Sequence, residues 1–189
     1  MAVCTLGYAI PKSFADKVRG SASLTELFSV IYGYGSSLKS FFTEIDEDEI
    51  EEIIGSFDSK DVEAMRILLN QTSFGESSYT EGTFEVHTNG IKRYLESIGE
   101  GGSSRLAGVI VCGDIQKLSD HIFGVDQETQ DRISMLLDVP VNDIYSHYKI
   151  EGRYSNPEWS QVIRRELESI MKCYKSASRI SGEVWIGCL

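Results

Sequence analysis

Seven carboxylates crowd into the nine positions from Glu44 to Glu52 of "FFTEIDEDEIEEIIGSF". Acidic oxygens at this density suit three roles: holding a hard cation, facing a basic partner, or lining the wet side of a helix. A calcium-binding EF-hand loop takes ligands at alternating positions and needs a glycine at its sixth position for the turn. Asp46, Asp48 and Ile50 open with that alternation, but no glycine follows before Gly55. Ile50, Ile53, Ile54 and Phe57 recur at helical intervals, so the segment reads as wound rather than looped. In a helix from Asp46 to Ile54, the side chains of Glu47, Asp48, Glu51 and Glu52 project outward. Asp46 or Thr43 caps it, and the early acids complement the positive end of the helix dipole. The face is solvated on this reading, and where it meets a partner it is a docking face for a basic one. No metal is expected there.

Other chemistry-bearing residues are sparse. His87, His121 and His147 stand far apart, with no His-Glu-x-x-His pattern and no second histidine four residues away. His121 or His147 would suit an axial ligand of a tetrapyrrole in a helical core, but no spacing singles them out. Cys4, Cys112, Cys173 and Cys188 form no CxxC pair, which argues against a zinc knuckle or a redox motif. Cys112 lies in the apolar run "VIVCGDI", a setting that raises a thiol pKa, although pairing with His121 through the fold stays open. There is no Gly-x-Ser-x-Gly elbow and no Ser-x-x-Lys with its companion motifs. "GYGSSLKS" and "GEGGSSR" are glycine-rich but lack the Gly-Lys-Ser/Thr ending of a phosphate loop, and both read as turns. No catalytic residue and no cofactor is expected.

Charge is distributed unevenly. The 189 residues carry a formal charge of −11, which opposes binding to nucleic acid or an anionic membrane. Yet seven of the 18 basic residues, and four of the 29 acidic ones, fall between Lys149 and Ile180. Arg153, Arg164, Arg165, Lys172, Lys175 and Arg179 therefore mark a face for self-association or for nucleic acid. In the nucleic-acid reading, Tyr148, Tyr154, Trp159 and Tyr174 would stack on bases. The plainer reading is a helix whose basic end matches its dipole and whose aromatics are core. The tail "SGEVWIGCL" is too apolar to stay free in water. Val184, Trp185, Ile186 and Leu189 pack either on the chain's own core or on a second copy as an oligomer arm.

These residues are carried by a chain in which helical signals dominate. Pro11 opens a helix bearing Phe14, Ala15 and Val18, and Gly20 stops it. Ser23 is the expected cap of a second helix containing Leu24, Leu27, Phe28 and Ile31. Asp58 or Ser59 caps a third, with Val62, Met65, Leu68 and Leu69 on one face. Residues 72–90 read as a long loop with one extended piece or a small hairpin, and Asn89 as the cap of the helix that follows. Residues 104–123 suit either one helix or a strand plus a helix; the helix is preferred, because no second convincing strand offers a partner. Two short helices are expected over 126–150, and a long one from Asn156 and Pro157 onward, striped by Trp159, Val162, Ile163, Leu167, Ile170, Met171 and Tyr174.

The expected fold class is all-α, or mostly α: a compact bundle of about eight to ten short helices with a loop or hairpin near 72–90 and a strand-like tail. Residues 1–181 form a single helical domain, with 72–90 as the candidate internal boundary, and 182–189 form the tail. With no signal-like start and no apolar run near the roughly 18–20 residues that span a bilayer, the protein is expected in the cytoplasm. The function that fits is a non-enzymatic interaction or regulatory protein that binds a macromolecular partner as a homo-oligomer. The alternatives are nucleic-acid binding through the basic C-terminal helix, and a helical carrier of a small molecule or tetrapyrrole.

Overall fold

The computed structural model describes residues 4–34, 38, 40–72, 75–80, 83–100, 102, 107 and 133–188. The described chain is mostly helical, as its periodicity predicts, with eight α-helices and three strands. In order they are β1 (Cys4–Ile10), α1 (Lys12–Arg19), α2 (Ala22–Gly33), α3 (Phe41–Glu44), α4 (Glu47–Ile54), α5 (Ser59–Gln71) and β2 (Gly75–Thr80). Then follow α6 (Phe84–Ser97), α7 (Val141–Tyr145), a single 3-10 turn at Gly152–Ser155, α8 (Pro157–Arg179) and β3 (Glu183–Cys188). The expected helix over 104–123, with Cys112 and His121, lies outside the described residues apart from Ala107, and so does Leu189. So does the first half, residues 126–132, of the first helix expected over 126–150.

The strands form one antiparallel sheet in the order β2-β1-β3. β1 is central: Tyr8 stands opposite Glu76 on one side and Trp185 on the other. Successive side chains of a strand point to opposite faces, and here the two faces feed two separate cores. Tyr8, Ile10 and Trp185 join Phe14, Val18, Leu27, Phe28, Ile31, Met65 and Leu69 from the helices before β2. Ala9 and Val184 join Ile91, Leu95, Ile144, Leu167, Ile170 and Tyr174 from the helices after it. The molecule is thus layered as helices, a small sheet, and helices.

The sheet is what the sequence reading lacked. "CTLGYAI" carries no helical stripe, and its pairing partners lie 66 or more positions away in sequence. Residues 75–80 are extended, as expected, but their partner is β1 and not a neighbouring hairpin strand. The apolar tail is strand β3, and Val184 and Trp185 are 2% and 1% exposed within the chain's own core. The arm reading therefore does not hold for these two side chains, because helices on each face of the sheet already cover them. Trp185 meets Phe28 edge-on at 5.2 Å and Phe14 at 6.3 Å between ring centres.

The caps refine the helix boundaries. Ser21, not Ser23, caps α2 by accepting the Leu24 amide, while the Ser23 hydroxyl donates to Asp61 on α5. Asp58 caps α5 through the Lys60 amide, and Asn156 caps α8 through the Trp159 amide, with Pro157 in its first turn. The helix expected to be capped by Asn89 starts six residues earlier, with Thr83 in the cap position and Phe84 as its first residue. His87, Ile91, Tyr94 and Leu95 repeat at helical spacing and are all buried. The earlier turn becomes visible only when His87 is counted as a core residue.

One ionic contact fastens the first helix to the last strand. Both terminal guanidinium nitrogens of Arg19 donate to the Glu183 carboxylate, at 2.6 and 2.5 Å, and the Trp185 indole N–H donates to it at 2.9 Å. Burial alone would raise the Glu183 pKa; the Arg19 and Trp185 hydrogen bonds, with the charges of Arg19 and Lys12, outweigh it and hold it below the usual value. A carboxyl lowered in the folded state adds stability above its unfolded pKa and loses it as pH falls through the folded one. Glu183→Gln should therefore cost about 1 kcal/mol near neutrality, allowing for the half-exposed Arg19. In urea titrations the gap to the parent should close below about pH 4; a gap independent of pH would contradict the assignment. Trp185→Ala should cost about 3–5 kcal/mol in the same titrations, whereas a free arm would lose almost nothing.

Candidate functional site

The buried polar residues of the second core form a chain of hydrogen bonds. His87 is 0% exposed and Glu166 8%, and His87 Nε2 lies 2.9 Å from the Glu166 carboxylate. The other ring nitrogen, Nδ1, lies 3.1 Å from the Tyr148 hydroxyl. A carboxylate only accepts, so Nε2 carries the proton that Glu166 takes, and in the neutral ring Nδ1 accepts from the phenol. Burial pushes the Tyr148 pKa up, with Tyr145 and Glu166 adding to the effect, and the phenol stays a donor.

Each member is placed by its local sequence. His87 sits one turn before Ile91 on the buried stripe of α6. Glu166 interrupts the apolar stripe of α8 between Ile163 and Leu167. Tyr148 follows α7, and its ring packs over Gly90, where a Cβ would overlap the ring atoms. Tyr145 tilts against Tyr148 at 5.3 Å and donates its hydroxyl to the Ser160 carbonyl, holding α7 on α8. Taken together, the contacts tie α6, α7 and α8 into one layer. Both His87 ring nitrogens are engaged, so neither presents a lone pair to a haem iron. His147, half-buried, turns Nδ1 toward the Asp143 carbonyl at 3.0 Å and meets Tyr94 edge-on. Among the described residues, no three His, Cys, Asp or Glu side chains gather as a metal site.

The charged faces lie outside this core. Glu47, Asp48, Glu51 and Glu52 are all exposed on α4, while Ile50 and Ile54 are buried beneath them. Asp46 occupies the cap position without a side-chain cap bond, and the Tyr34 hydroxyl donates to Glu49. On α8, Arg164, Arg165, Lys172, Lys175 and Arg179 are exposed, and the helix buries the opposite face through Ile163, Glu166, Leu167, Ile170, Cys173, Tyr174 and Ala177. At 100° per residue the five cations fall within one outward stripe. Arg164 pairs with Glu168 at 3.5 Å. Arg165, Lys172, Lys175 and Arg179 have no ion-pair partner among the described residues.

The structure separates residues that the sequence grouped. Arg153 lies off α8, in the preceding 3-10 turn, stacked over Tyr154 at 4.6 Å, and Tyr154 meets Trp159 edge-on at 5.1 Å. Tyr174 is buried and Tyr148 belongs to the hydrogen-bonded chain, so neither stands beside the basic stripe as a stacking surface. Val162, expected in the core, is exposed, and Glu166 holds a core position instead. The Glu166–His87–Tyr148 chain itself escaped the sequence reading. Its one legible sign is an acid inside the apolar stripe of α8.

No family model, no curated protein and no solved structure matches this chain. No helix among the described residues is long and apolar enough to cross a membrane.

Gly90→Ala should destabilise the protein by about 1–3 kcal/mol, because the new methyl overlaps the Tyr148 ring. In a Tyr148→Ala background the same change should become neutral or favourable by about 1 kcal/mol, the intrinsic helix preference of alanine. Thermal and urea unfolding of the four proteins checks this, and an equal penalty in both backgrounds would show that Tyr148 is not the cause.

Proposed function

We propose that this protein performs no chemistry of its own and works as an interaction protein, engaging a macromolecular partner through the outward stripe of α8. The observation that carries the reading is that stripe: cations held in register by a 23-residue helix whose other face is locked in the core. Four of them lack an internal acid among the described residues, in a chain of net charge −11. Charges aligned on a rigid element steer encounter and set register with an oppositely charged surface. The buried polar residues His87, Glu166 and Tyr148 are engaged with one another in joining helices.

An acidic protein surface suits the stripe better than nucleic acid does. Tyr148 and Tyr174 face inward, and Tyr154 and Trp159 pack with Arg153 ahead of the stripe, which leaves the cations of α8 without the interleaved aromatics that hold single strands. Two probes separate the readings: fluorescent poly-glutamate and a labelled single-stranded oligonucleotide, each titrated at about 50 mM salt. Poly-glutamate should bind, and Arg165→Glu with Lys172→Glu and Lys175→Glu should weaken it by at least about tenfold. Unchanged binding in the triple variant overturns the assignment to α8, and preference for the oligonucleotide moves the function to nucleic acid.

A further inference from the structure

We infer that the acidic surface met by α8 is α4 of a second copy of this chain, an assignment that rests on reading α8 as a binding face. Glu47, Asp48, Glu51 and Glu52 occupy one exposed side of α4 over about one and a half helical turns, roughly 7.5 Å of axis. Lys172, Lys175 and Arg179 occupy one exposed side of α8 over a comparable length, two turns or about 10 Å of axis, with Arg165 continuing the stripe. The two faces are thus opposite in sign, similar in length and both helical.

Within one molecule they do not meet. Among the described residues the ion pairs run inside single helices, between α1 and β3, and between α6 and α8, and none joins α4 to α8. The eight charged groups of the two faces have no ion-pair partner among the described residues. Like faces repel, so α4 against α4 or α8 against α8 is disfavoured, and the contact that gains is the unlike one between copies. Ile180, exposed immediately after Arg179, adds apolar surface at the end of the stripe. A contact built this way is salt-sensitive, since exposed charges are screened over about 8–10 Å at moderate ionic strength.

The test uses the full chain in sedimentation velocity and light scattering. One variant reverses α8 (Arg165→Glu, Lys172→Glu, Lys175→Glu, Arg179→Glu), and another reverses α4 (Glu47→Lys, Asp48→Lys, Glu51→Lys, Glu52→Lys). The parent should assemble at about 50 mM salt and fall to the 21.1 kDa monomer at about 0.5 M. Each variant alone should be monomeric, and their equimolar mixture should assemble again, because reversed α4 then faces reversed α8. Should the fourfold α4 variant fail to fold, Glu51→Lys with Glu52→Lys, clear of the helix N-terminus, serves in its place. A monomeric parent that still binds poly-glutamate overturns the α4 assignment and leaves the α8 reading intact. A parent that neither assembles nor binds poly-glutamate overturns both, and assembly of the parent without rescue in the mixture overturns the pairing of these two faces.

Discussion

The structure depends on the alternation of side chains in one short strand. In β1, Tyr8 and Ile10 enter the core shared with α1, α2 and α5, while Ala9 between them enters the core shared with α6 and α8. β3 repeats the device with Trp185 and Val184. A strand has no choice in this, because its period is two. Slipping the pairing by one residue would send Trp185 to the side where Val184 now packs, and both cores would lose their fit at once. Two sets of helices that share few direct contacts are held in one body by three strands drawn from the start, middle and end of the described chain.

α8 is the element on which this frame and the proposed function converge. Its inner face packs on β1 and β2, and carries Glu166 to His87. An acid in that position is stabilising only while it is hydrogen-bonded, so α6 and α8 constrain one another more tightly than apolar contact alone would require. The same constraint fixes the rotation of α8 about its axis and hence the direction of its outer cations. Rotation of the helix would at once bury a lysine or expose Leu167. Core chemistry and surface chemistry are therefore coupled through a single rigid helix.

The helices were largely legible because each carries its own evidence. Phe14, Ala15 and Val18 before Gly20, the isoleucines of α4, and Asn156-Pro157 before the stripe of α8 are local patterns that need no knowledge of the rest of the chain. The acidic face of α4 and the basic residues of α8 were legible for the same reason. Two features were not. Thr83–His87 looked like loop because a histidine in the core position of a helix reads as polar until its partners are known. β1 looked like nothing in particular, since this strand is made by neighbours 66 or more residues away.

By itself, then, the sequence determined which segments wind, where many of the helices are capped, and which helices carry opposite charge. These follow from spacing within a few turns. Tertiary structure alone decided that the two ends of the described chain pair in one sheet, that the apolar side chains of Val184 and Trp185 belong inside, and that His87 completes a buried chain with Glu166 and Tyr148. It also decided that the acidic face of α4 and the basic face of α8 are not joined within one molecule. The physical reason is the same in each case: these outcomes depend on distances between residues far apart in the chain, and no local pattern encodes such a distance.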